Sequence, residues 1–134
     1  MARDMSAVIR AFDKLRASLR NARFDGADLA ADMRNQSMGL MRGVLKSATL
    51  DGASFANANL SRVVLEFASL RNVSFKGAVL VGAELAGADL GGADVTGANF
   101  LDADVNSARL IGLIGRERAV NLEKARNMDR AVRD

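Results

Sequence analysis

The sequence predicts an all-β solenoid, a chain that coils continuously and turns one corner every five residues. Three observations lead there. From Ala48 to Leu110 a small residue is followed two places later by a large apolar one and then by two variable places, without a slip. The large positions are Leu50, Phe55, Leu60, Leu65, Leu70, Phe75, Leu80, Leu85, Leu90, Val95, Phe100, Val105 and Leu110, and the small residue is Ala except at Val63 and Val73. A period of five also fits no ordinary element. On an α-helix a step of five rotates about 140° and smears these side chains around the axis, while on a strand an odd step sends them alternately to opposite faces. A coil with one corner per quintet points them all inward. Finally, Gly recurs two places after the large residue at Gly52, Gly77, Gly82, Gly87, Gly92, Gly97 and Gly112, where a tight turn can demand a positive φ.

Taken in chain order, residues 1–16 place Met5, Val8, Ile9, Phe12 and Leu15 at helical spacing, which predicts a short amphipathic helix covering the N-terminal coil. A targeting or membrane-surface helix is the other reading. Against it, Asp4 and Asp13 interrupt the basic face and no long apolar run marks a secretory signal.

Residues 17–113 read as the coil. Leu19, Phe24 and Leu29, with Ala17, Ala22 and Ala27 before them, keep the period in a register one residue out from Leu45 and Leu50. The interruption at 30–44 contains Met33, Arg34, Met38, Met41 and Arg42. It is either a projecting loop whose methionines repack against a partner or a bulged coil whose methionines plug the core. Residues 114–134 form a charged tail in which Asn121-Leu122-Glu123-Lys124-Ala125 is echoed six places later by Asn127-Met128-Asp129-Arg130-Ala131. Leu122, Ala125, Met128 and Val132 fit an apolar stripe on a helix. The tail is therefore expected to be a helical cap on the last coil or a dimerisation segment.

The triplets Ala27-Asp28-Leu29, Ala58-Asn59-Leu60, Ala88-Asp89-Leu90 and Ala98-Asn99-Phe100 resemble the signature of the pentapeptide-repeat family, and the resemblance extends over about three quarters of the chain. It implies a right-handed quadrilateral β-helix with four quintets per coil. Combined with the terminal segments, the expected architecture is such a β-helix with short helical caps at both ends. Residues twenty apart would then stack, with Leu50, Leu70, Leu90 and Leu110 in one ladder and Phe55, Phe75 and Val95 in another.

Composition restricts the chemistry. A chain of 134 residues with one repeat system is a single domain. It has no Cys and no His, hence no disulfide, thiol nucleophile, imidazole base or ordinary zinc site. Without Tyr or Trp it lacks most stacking platforms for single-stranded nucleic acid, and its dispersed arginines offer no reading helix. No apolar stretch is long enough to cross a bilayer, and a cytoplasmic setting fits best. Asp102 and Asp104 lie two apart and imitate a carboxylate pair, but on a solenoid rung such a pair is ordinarily a solvated face. With no nucleophile, base or ligand cluster beside them, an enzyme is not expected, nor a cofactor or metal. The glycines precede no helix, so they mark turns and not a phosphate cradle.

The net charge of +3 hides a polarity. Residues 42–76 carry five basic and two acidic side chains, whereas from Gly77 to Ala108 every ionisable side chain is acidic: Glu84, Asp89, Asp94, Asp102 and Asp104. These five make a candidate acidic surface, or a solubilising one. Val64, Phe67, Val79, Val81 and Leu101 occupy places expected to face solvent, and with Leu122, Met128 and Val132 they form the candidate interface. Two functions follow. The first is a non-catalytic protein-binding or scaffold module with an unknown protein partner, associating as a homodimer through the apolar corner or the tail. The second comes from the resemblance, since some family members imitate duplex DNA and bind type II topoisomerases such as gyrase. Mimicry needs about one charge per 1.7 Å of axis, and residues 17–110 hold ten acids against nine bases.

Overall fold

A computed structural model describes residues 18–30 and 44–134. The expected N-terminal helix at 1–16 and the candidate loop residues Met33, Arg34, Met38, Met41 and Arg42 lie outside them.

Each quintet builds one side of a coil. The Ala and the large residue that follows it two places later point inward, and Leu50, Phe55, Leu60, Leu70, Leu90 and Phe100 are fully buried. The residue between them faces outward and bridges to its equivalent in the next coil, always in parallel: Thr49 to Ser69, Ser69 to Asp89, Asp89 to Arg109. The register is twenty residues over most of the chain, so five-residue sides give four sides per coil. The first face carries Ser18, Thr49, Ser69, Asp89 and Arg109; the second Arg23, Ser54, Ser74, Asp94 and Ile114; the third Asp28, Asn59, Val79, Asn99 and Val120; the fourth Val44, Val64, Glu84, Asp104 and Arg126. The chain passes through five coils.

Backbone groups are committed in both directions along the axis. The Leu50 N–H donates to the Ser69 carbonyl at 2.8 Å and the Ser69 N–H to the Ala48 carbonyl at 2.9 Å, while the Ala53 N–H closes the corner on the Leu50 carbonyl at 2.9 Å. The N–H just after the large residue is taken by a side chain. Asp89 accepts from the Gly91 N–H at 2.9 Å, Asp94 from Thr96 at 3.0 Å, Asn99 from Leu101 at 3.1 Å and Asp104 from Asn106 at 3.0 Å. This explains the Asp or Asn before the large residue: it closes the corner as an Asx turn does. Phe24, Phe55 and Phe75 stack through the core with centroids 4.9 and 5.8 Å apart.

The coil changes at both ends. Residues 18–30 pair at an offset of thirty-one, Ser18 with Thr49 and Asp28 with Asn59. The interruption therefore inserts eleven residues between the third and fourth faces of the first coil. At the other end the offset grows from twenty at Asp94–Ile114 to twenty-one at Asn99–Val120, twenty-two at Asp104–Arg126 and twenty-three at Arg109–Val132. From Ile114 onward the sides are six residues long, from Ile114 to Val120 to Arg126 to Val132.

The tail is thus not one helix. It forms three 3₁₀ turns, Arg116–Arg118, Leu122–Lys124 and Met128–Arg130, each preceded by a left-handed residue at Gly115, Asn121 or Asn127. The six-residue echo is the period of these sides. Leu122 and Met128 reach back into the core, and Asp134 accepts from the Gly112 N–H at 2.8 Å and from Arg116 at 3.2 Å.

Candidate protein-interaction surface

The five candidate acids do not share a face. Asp89 lies on the first face, Asp94 on the second, Glu84 and Asp104 on the fourth, and Asp102 at the corner between the third and fourth. Bases from adjacent coils oppose several of them. Asp89 sits between Arg71 at 3.3 Å and Arg109 at 3.8 Å. Burial works against the charge on Asp94, but hydrogen bonds from the Thr96 hydroxyl and N–H, with Lys76 nearby, outweigh it and hold the carboxyl below its usual value. Asp104 is similar: burial opposes its charge, while the Asn127 amide at 2.8 Å, the Asn106 N–H and nearby Arg126 lower its pKa.

The candidate interface divides. Val64 is buried, at 6 % exposure, and offers no surface even though its place in the quintet points outward. Leu122 and Met128, 4 % and 8 % exposed, are also removed from the interface, because the left-handed residue before each 3₁₀ turn swings the side chain beneath the core. Phe67, Val79 and Val132 remain exposed, and Val81 and Leu101 are half-buried. Of these, Val79 on the third face adjoins Val81 and Leu101 on the corner that follows it. Val120 continues that face in the fifth coil and is exposed, as is Ile114 on the second face. Both were missed in the sequence because they follow Leu110, where the quintet count ends. Spacing in multiples of six, with Val120 six places after Ile114 and Val132 twelve places after Val120, is the signal that could have found them.

The corner before the third face has the opposite character. Gly77 and Gly97 stack there with positive φ, and a β-carbon added to Gly97 would meet nothing nearer than the Gly77 backbone at 3.7 Å. The third face therefore runs from a glycine corner, through uncharged Val79 and Asn99, to an apolar corner at Val81 and Leu101.

Elsewhere, an open groove of about 530 Å³ on the fifth coil is rimmed by Arg116, Glu117, Glu123 and Lys124, with both signs interleaved. Among the described residues no cluster of acidic side chains is arranged to hold a metal ion. No helix among them is long and apolar enough to cross a membrane.

Comparison with known proteins agrees with this geometry. The family described as pentapeptide repeats matches residues 44–77 and 78–112, in eight copies. The chain is similar in structure to HetL, a pentapeptide repeat protein involved in heterocyst differentiation regulation in the cyanobacterium Nostoc sp. strain PCC 7120. The TM-score is 0.65 and the identity 28 %, over 87 % of this chain and 47 % of HetL. It also resembles QnrB1, a plasmid-mediated fluoroquinolone resistance protein, with a TM-score of 0.53 and 19 % identity over 74 % of this chain and 55 % of that one. The chain thus spans about half the length of these two proteins. No curated protein sequence matches it. The coil is a right-handed β-helix, as pentapeptide repeats are.

Proposed function

The chain belongs to the pentapeptide-repeat family, and from that premise we propose that it acts as a non-catalytic protein-binding or scaffold module in the cytoplasm. The observation that carries this reading is the third face with its following corner. There Val79, Val81, Leu101 and Val120 meet solvent on a backbone held from both sides by coil-to-coil hydrogen bonds. Contiguous apolar side chains on a rigid support are the usual form of a protein-recognition patch. The absence of Cys and His from the sequence supports a role without thiol or imidazole chemistry. The fifth coil, with Leu122 and Met128 turned under the core, serves in this reading as the covered end of the solenoid.

Imitation of duplex DNA toward a type II topoisomerase is the competing reading. The acids stand on three faces with bases beside Asp89, Asp94 and Asp104, which favours the first reading over an extended negative surface. The test is affinity capture from cell extract with wild type and with a Val79→Ser, Val81→Ser, Leu101→Ser variant whose fold is verified by circular dichroism. A partner retained by wild type and lost by the variant supports the reading. An identical set of captured proteins contradicts it.

A further inference from the structure

We propose that the corner between the fourth and first faces captures an arginine side chain of a protein partner, with the Phe67 ring as the plate on which the guanidinium lies and Glu66 as its counter-ion. The inference rests on reading the chain as a protein-binding module, but it uses a surface that does not border the third face. Packing does not account for the ring. Successive coils place Ser47, Phe67, Gly87 and Ser107 at this corner, all left-handed with φ of 60°, 59°, 69° and 59°. Glycine meets that demand freely and serine at less cost than a bulky aromatic, which is strained there. The strain brings no burial. Phe67 is 61 % exposed, more than any other large apolar side chain among the described residues, and it takes no part in the stack of Phe24, Phe55 and Phe75. A strained aromatic held in solvent points to function.

Two residues build the plate. A β-carbon on Gly87 would come within 2.5 Å of the ring's Cδ1, so the glycine lets the ring lie against the backbone of the next coil with its other side open to water. The charges around it favour a cation. The Ser47 N–H donates to the Glu66 carbonyl at 2.8 Å and the Phe67 N–H to the Ala86 carbonyl at 2.9 Å, which sets Lys46 in the coil before and Ala86 in the coil after. The ring leans toward Gly87 and away from Lys46. On that side Glu84 stands on the fourth face and Asp89 on the first. Asp89 is held by Arg71 and Arg109, whereas the Glu66 carboxylate has no ion pair or side-chain hydrogen bond among the described residues.

A guanidinium fits both groups. It stacks flat on an aromatic face while its forked N–H donors reach sideways to a carboxylate, a combination that the compact ammonium of lysine does not match. A nucleic-acid base could also stack on the ring, but its phosphates would meet Glu66, Glu84 and Asp89. The net charge of +3 opposes a general attraction for basic peptides, so capture of arginine here is a local property of the corner.

Selection from a random linear peptide library displayed on phage, with the full chain immobilised, tests this. Peptides recovered on wild type should carry arginine and, once synthesised, should bind at least about fivefold more weakly to Phe67→Ser and about threefold more weakly to Glu66→Gln. Phe67→Ser installs the residue that already holds this conformation at Ser47 and Ser107, so circular dichroism should be unchanged. Phe67→Leu keeps an apolar side chain without a ring and should remove the preference for arginine over lysine in the peptide. Recovery of no peptide that Phe67→Ser binds more weakly would overturn the proposal, as would a peptide that depends on Phe67 but carries no cation. Peptides lost in the Val79→Ser, Val81→Ser, Leu101→Ser variant and kept by Phe67→Ser would refute it while leaving the third-face reading intact. Oligodeoxythymidine bound by wild type and lost in Phe67→Ser would also overturn it, by putting a nucleobase where the guanidinium is assigned.

Discussion

The Phe67 ring lies over the α-carbon of Gly87 in the next coil, so that a β-carbon on Gly87 would come within 2.5 Å of the ring's Cδ1. Both residues are left-handed, Phe67 at φ 59° and Gly87 at φ 69°. For a bulky aromatic that conformation is strained. Gly87 is therefore fixed twice, by its own φ and by the ring above it. Gly87→Ala is expected to cost about 1–3 kcal/mol. The cost should fall when Phe67→Asn is combined with it, because Asn tolerates the left-handed region and frees the space. Denaturant midpoints of the four proteins in that cycle measure the coupling, and strict additivity would show that the ring plays no part.

The same logic separates glycines that look alike in the sequence. Gly92 and Gly97 both have positive φ, 72° and 71°, but the Asn72 carboxamide occupies the place of a Gly92 side chain and only backbone at 3.7 Å borders that of Gly97. Gly97→Asn should stay within about 0.5 kcal/mol of wild type. Gly92→Asn should cost more, and exchanging the pair, Asn72→Gly with Gly92→Asn, should recover most of the loss. Thermal unfolding of the three variants decides it, and equal losses for Gly92→Asn and Gly97→Asn would contradict the ladder of side chain over glycine.

In the core, Leu90 lies in the twenty-residue ladder between Leu70 and Leu110, and all three are fully buried. Leu90→Ala should cost about 2–5 kcal/mol. Leu90→Asp should abolish the β-type circular dichroism spectrum, since an unpaired carboxylate would enter a site with no donor to receive it. A folded Leu90→Asp protein would mean that the ladder is not continuous.

Acid should loosen the chain through its corner carboxylates. Asp94 and Asp104 are held below their ordinary values in the fold, so the folded state binds fewer protons than the unfolded chain on acidification. Their contribution is complete above about pH 4 and is lost as the pH falls through the folded values. Asp104→Ala, which also strips the Asn106 N–H and the Asn127 amide of their acceptor, should cost about 1–3 kcal/mol at neutral pH and flatten the acid limb of the stability curve. Asp104→Asn keeps an acceptor oxygen and should flatten that limb at smaller cost. An acid limb unchanged in both variants would remove Asp104 from the account.

These residues also mark what was legible in the sequence. The inward set from Leu50 to Leu110 could be read because a strict period of five has one physical solution, and the offset register of Leu19, Phe24 and Leu29 reappears as the thirty-one-residue pairing. The role of Asp89, Asp94 and Asp104 was not legible, since a carboxylate that closes a corner and one that merely faces water occupy the same place in the quintet. Val64 looked exposed for the same reason: the period assigns a direction, not a degree of cover. In the tail, the spacing of Leu122, Ala125, Met128 and Val132 fits a helical stripe, and a period of six points to no ordinary element that would compete with it. Only the left-handed backbone at Gly115, Asn121 and Asn127 shows that each side turns inward.

A supercoiling assay with purified protein and DNA gyrase tests most directly the claim that this solenoid recognises protein without imitating DNA. The account predicts no inhibition at concentrations well above that of the enzyme, because the acids are dispersed over three faces and bases stand beside Asp89, Asp94 and Asp104. Strong inhibition that weakens when Asp89, Asp94 and Asp104 are changed to Asn, in variants that remain folded, would contradict it.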